Sequence, residues 1–276
     1  EALFNRALAR ELLFLDVEAM AAWDDYLRQD DSSPWAAEAK SRKAAIAAAR
    51  RGETRVDPLP RLRQGAGERG IRDLVGRDPQ AVREAVENEL FADWADAESR
   101  GDQVSADRLL RVLHVAGDAL AARQGEALVR DAVAAIERES PSSPRRSRLV
   151  QGHRAFRDGN HLYKQSDVGH ARAMLETARA SLEAGGSPFA VRAAFVSVSC
   201  DVKSGLAARA LRSIRQLKPG APPDRYPVLH SYFSWVEGLS LALDGKLLDS
   251  LSAYDEALAR LDGTGEGRTT AEVHAL

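Results

Sequence analysis

Five aromatic residues in this chain each stand fifteen positions before a small one: Phe4/Ala19, Phe91/Ala106, Phe156/Ala171, Phe195/Ala210 and Trp235/Ser250. A spacing that recurs in this way constrains the fold more than any local propensity. It is the mark of repeats of about 34–40 residues, each a pair of helices that cannot hide its apolar face alone and so stacks on its neighbours.

Other positions follow the same register. Three residues after each aromatic stand Ala7, Trp94, Gly159, Val198 and Gly238; nineteen after stand Trp23, Leu110, Leu175, Ile214 and Tyr254; twenty-two after stand Tyr26, Leu113, Ala178, Leu217 and Ala257. The offsets 15, 19 and 22 share one helical face, so the second helix of each pair carries a buried stripe. Small groups at the third and fifteenth positions let the two antiparallel helices approach closely. The expected fold is all-α, a right-handed α-α superhelix of stacked helix pairs.

Composition agrees with helix. Of 276 residues, 44% are hydrophobic, 29% charged and only 6% aromatic, and the Ala-, Leu-, Arg- and Glu-rich sequence has few β-branched runs. A net charge of −2 gives no global reason to expect nucleic acid or an anionic membrane as partner. The single cysteine, Cys200, excludes an internal disulfide and a cysteine-rich zinc site and fits a reducing compartment. No apolar run is long enough to span a membrane and no signal peptide is visible, so a cytoplasmic location is expected. The chain opens at Glu1 and both ends cut through repeats, which leads us to expect a piece of a longer protein.

Along the chain, residues 1–51 read as an N-terminal repeat unit plus a capping helix from Pro34, with Ser32 or Ser33 as its cap. Residues 52–77 hold Pro58, Pro60, Gly65 and Gly67 among many arginines and are expected to form a mobile loop. Residues 78–139 read as degenerate helical repeats, opened by Asp78-Pro79. The string SPSSPRRSR at residues 140–148 reads as a linker between subdomains. Residues 149–276 read as clean repeats, truncated at the C-terminus, with turns at Ser166-Asp167, Ser204-Gly205 and Asp244-Gly245 and a last helix that has nothing to pack on.

The first helices of successive repeats make the concave surface of such stacks. One face of each reads His153, Phe156, Asn160, Tyr163, then Arg192, Phe195, Ser199, Val202, then Tyr232, Trp235, Leu239, Ala242. Large rigid rings among a few directional polar groups suit a protein or peptide partner. The same aromatics can equally serve packing between repeats, and alanine at Trp235 and Phe195 separates the two readings. No catalytic residues, metal site or cofactor are expected. The six histidines lack ligand spacing, and the arginine clusters at Arg50–Arg72 and Arg145–Arg157 read as solvated charge, with no interleaved aromatic except Phe156. Gly65, Gly67 and Gly70 follow no strand and lack the Lys-Ser/Thr of a phosphate loop.

Gly238, Gly245, Ser250, Tyr254 and Ala257 fall on the small-Gly-small-aromatic-Ala spacing of the tetratricopeptide repeat, which the chain resembles. The stretches Ala2–Lys43 and Gly152–Phe195 and the ending TTAEVHAL further resemble bacterial proteins that carry such repeats ahead of a CHAT domain, a caspase-like cysteine peptidase. That resemblance implies a non-enzymatic scaffold that binds a partner protein or peptide, or an effector domain of its own gene product, and regulates a peptidase whose Cys/His dyad is not in this chain. The alternative is the sensor arm of a bacterial transcriptional regulator or signalling ATPase.

Overall fold

The computed structural model describes residues 2–12, 16–52, 57–274 and 276. Among them there is no strand, and the chain divides after Asp57 into two compact units.

The first unit holds α1 (Ala2–Leu12), α2 (Asp16–Leu27) and α3 (Pro34–Gly52). Phe4 meets Trp23 and Tyr26 edge-on, with ring centroids 5.0 and 5.3 Å apart. Ala7, Ala19 and Ala22 are fully buried, so the small positions bring α1 onto α2 as the spacing requires. Ser33 Oγ accepts from the Ala36 N–H at 3.1 Å and caps α3.

The second unit opens with α4 (Leu59–Arg63) and α5 (Glu68–Arg77). The expected loop over 52–77 is therefore corrected to helix for most of its length, and its residues 53–56 lie outside the described residues. Pro58 and Pro60 sit at the start of α4, where a missing N–H costs nothing. Ile71, Leu74 and Val75 form a buried stripe on α5 that the glycines and prolines nearby obscured in the sequence.

A long helix follows as α6 (Pro79–Ala85), a π-turn (Val86–Leu90) and α7 (Phe91–Ser99). Asp78 caps it, accepting from the Ala81 N–H at 3.0 Å. Then come α8 (Gln103–Gln124), α9 (Leu128–Glu137), α10 (Pro144–Lys164), α11 (Val168–Ala184), α12 (Phe189–Lys203), α13 (Ala207–Leu217), α14 (Pro227–Leu243), α15 (Leu247–Leu261) and α16 (Gly267–His274). The pairs α7/α8, α10/α11, α12/α13 and α14/α15 each hold one aromatic/small pair. Their small members Ala106, Ala171, Ala210 and Ser250 are all buried. At Gly159 a Cβ would stand 2.9 Å from Leu175 Cγ, and at Gly238 it would run into the Tyr254 ring. The third position of the repeat thus packs directly on the nineteenth.

The linker over 140–148 is a second correction. Ser143 caps α10, accepting from the Arg145 N–H at 3.1 Å, with Pro144 in the first turn. Arg146 is buried and donates to Glu98 Oε1 and Oε2 at 2.8 and 3.0 Å, so this segment is pinned to α7 within one unit. Serine and proline here open a helix rather than separate subdomains.

The end of the chain is a third. α16 is not left without a partner: Val273 packs with Tyr254 and Ala257 of α15, and Gln80 Nε2 donates to Thr269 Oγ1 at 3.1 Å. Arg268 pairs with Glu84. The last helix therefore closes back on the first long helix of the unit. Among the described residues no helix is long and apolar enough to cross a membrane.

Candidate functional site

The second unit encloses an open concave cavity of about 700 Å³, a size suited to a ligand or a short segment of a partner. Its wall is built from the same face of α10, α12 and α14: Asn160, Tyr163, Arg192, Phe195, Ser199, Val202, Tyr232, Trp235 and Leu239 all line it. α6 and α16 close the opposite side with Arg83, Glu84, Arg268, Thr269 and Glu272.

The floor is a buried ionic network. Arg83 Nε and Nη2 donate to the two carboxylate oxygens of Glu266 at 2.9 and 2.8 Å, Nη1 donates to Glu87 Oε2 at 3.1 Å, and Nη2 also meets the Tyr232 hydroxyl. Gln124 Nε2 donates to Glu266 Oε1 at 2.8 Å, and the Tyr232 hydroxyl donates to Glu266 Oε2 at 2.9 Å. Burial opposes the charge on Arg83, yet Glu266, Tyr232 and Glu87 more than offset it and raise its pKa. Burial likewise opposes ionisation of Glu266, but Arg83 holds its carboxyl below the usual value. Burial pushes the Tyr232 hydroxyl well up, so it stays a donor.

Arg192 joins this network by one edge only. Its Nε donates to Glu87 Oε2 at 2.8 Å, and its guanidinium carbon lies 5.8 and 5.4 Å from the ring centroids of Phe156 and Phe195. Its Nη1 is buried and without a hydrogen-bond partner among the described residues, as is the indole Nε1 of Trp235. At the rim, Lys203 lies over the Tyr163 ring at 4.1 Å and donates to the Tyr163 carbonyl at 3.2 Å. Asn160 Nδ2 donates to Asn88 Oδ1 at 3.0 Å. Burial raises the Glu272 pKa.

Of the twelve residues singled out from the sequence, His153, Phe156 and Ala242 do not line the cavity, and the first two are sealed in the core, each 1% exposed. His153 stacks on Phe91 with centroids 4.4 Å apart, Phe156 meets Phe189 edge-on at 5.0 Å, and neither His153 nitrogen has a partner among the described residues. α10 enters the stack deeper at its start than at its end, so the same face passes from packing at residue 153 to cavity wall at residue 160. Phe195 does both, lining the cavity while packing on Tyr232 and Phe233. The histidines divide similarly: His153 and His230 are buried rather than solvent-facing.

The sequence reading missed Arg83, Glu84, Asn88, Arg268 and Glu272. The spacing of Arg83 and Glu87 marks a helical ion pair, but nothing local links them to Glu266, 183 positions from Arg83. The Cys200 thiol is buried, and burial pushes its pKa up to about 11, far from the reactive range. Among the described residues no group of three or more His, Cys, Asp or Glu is placed to hold a metal ion. No family model matches the chain, and no match was found among curated proteins or solved structures.

Proposed function

We propose that the second unit is a binding module, built of tetratricopeptide-like helix pairs, that takes a segment of a partner protein or peptide into its concave cavity. The observation that carries this reading is the shared cavity wall: three successive first helices turn one face to one open space, meeting at the equivalent positions Asn160, Ser199 and Leu239, with rings from Tyr163, Phe195, Tyr232 and Trp235 around them. Rigid aromatic and aliphatic surface with a few fixed donors is what a peptide-binding groove needs. Within this reading the partner is an effector domain of the same gene product, a CHAT peptidase, and the module regulates it.

The test is a screen of the full chain against tiled peptides of the adjoining gene product, repeated with Trp235→Ala and Leu239→Ala. Both residues are half-buried on the cavity wall. Loss of peptide binding by about tenfold or more with an unchanged melting temperature is expected. Undiminished binding in both variants sinks the assignment of this cavity.

A further inference from the structure

We infer that the cavity seats a carboxylate on an apolar carrier, held by the free edge of Arg192 and the indole N–H of Trp235. This rests on the reading of the cavity as a binding site and names the chemistry it selects.

Two side chains on one wall each keep a buried donor without an acceptor, Arg192 Nη1 and Trp235 Nε1. Leaving such a donor unmatched in a buried site is unfavourable, so a missing acceptor is the natural complement. Arg192 is 8% exposed; Phe156 and Phe195 lie against it, and its Nε is tied to Glu87. A guanidinium held in this way offers an edge, which suits an oxygen lying in its plane. Glu87 is shared between Arg83 and Arg192, so the floor supplies no carboxylate of Arg192's own. At the rim, Lys164 and Lys203 form no ion pair among the described residues, whereas Glu84 and Glu272 both engage Arg268. A single negative charge is thus drawn toward the α12 side of the cavity. Phe195, Val196, Val236 and Leu239 give the carrier an apolar seat.

Such a carboxylate can come from an acidic residue of a peptide or from a free carboxylic acid. The experiment uses the full chain with labelled indole nitrogens, titrated with phenylacetate and with phenylacetamide. In parallel, an array of dodecapeptides carrying Asp or Glu is compared with its Asn or Gln twin. We expect phenylacetate to shift the Trp235 indole resonance and to bind at least about tenfold tighter than the amide. Arg192→Gln and Trp235→Phe should each erase that preference. If Arg192→Gln unfolds the unit, Trp235→Phe decides alone, since it keeps an aromatic ring on the wall and removes the N–H. Equal binding of acid and amide in both arms, or acid-selective binding that leaves the Trp235 resonance unmoved, overturns the inference. Acid-selective binding of phenylacetate with no peptide bound keeps the carboxylate site and removes the peptide reading; peptides bound without acid preference do the reverse.

Discussion

The floor and the wall of the cavity treat their buried charged and aromatic groups differently, although Gln124 Oε1 on the floor also lacks a partner among the described residues. On the floor all three Arg83 nitrogens and both Glu266 oxygens are engaged. On the wall Arg192 and Trp235 keep donors unmatched. The two regions meet at Glu87, which binds both arginines. The paired floor holds Arg192 in place, so the unmatched edge is fixed before any ligand arrives, and the ordering cost of binding is reduced.

The contrast breaks most visibly at Glu266. Glu266→Ala strips Arg83 of its bidentate partner while leaving it buried, and should cost about 3–5 kcal/mol in denaturant unfolding. A loss under about 1 kcal/mol would mean the floor is no more than surface-like pairing.

His153 sharpens it, being unmatched like the wall but sealed from the cavity. Burial lowers its pKa to about 3 from 6.5. The folded state therefore refuses a proton that the unfolded chain accepts below pH 6.5. The associated stability is fully present above that pH and declines as pH falls toward 3. His153→Leu should raise stability at pH 7 by about 1–2 kcal/mol, since it removes an unsatisfied polar ring, and should flatten the difference in melting temperature between pH 7 and pH 4. A variant that melts lower than the parent at pH 7 would show that the stack on Phe91 outweighs the missing hydrogen bonds.

The smallest effect belongs to the wall. Trp235→Phe removes a donor without a partner among the described residues, which favours the variant, and trims the indole's packing, which opposes it, so stability should change by less than about 0.5 kcal/mol. A larger loss would reveal a partner for the indole within the fold and return Trp235 to the paired class.

The repeat register was legible in the sequence because it rests on local chemistry. The fifteenth position is small in every repeat because two helices touch there, and where the third position is glycine, Gly159 and Gly238 meet Leu175 and Tyr254 closely. The inter-helix turns were legible too, although Ser166 takes the left-handed φ of 64° where Gly205 and Gly245 take 71° and 77°. Proline and serine misled at α4 and α10, where they start helices and cap them; only the apolar stripe behind them, or a buried arginine such as Arg146, reveals the difference. Depth was not legible: the register puts His153 and Trp235 on one face but does not say how far into the stack each helix begins. The floor was out of reach, because Arg83, Gln124 and Glu266 come together only through the closure of α16 on α6.

That closure also sets a timetable. In a stack whose repeats touch only their neighbours, each helix pair can settle as soon as it leaves the ribosome. Here Arg83 and Gln124 emerge early and wait for a carboxylate at residue 266, near the end of the unit. Until then the newly made chain carries a buried-to-be guanidinium paired with Glu87 but without its bidentate partner. The cavity is therefore finished by the last helix of this unit, and a nascent chain stopped before Glu266 should hold most of the unit's helices but not a completed binding site.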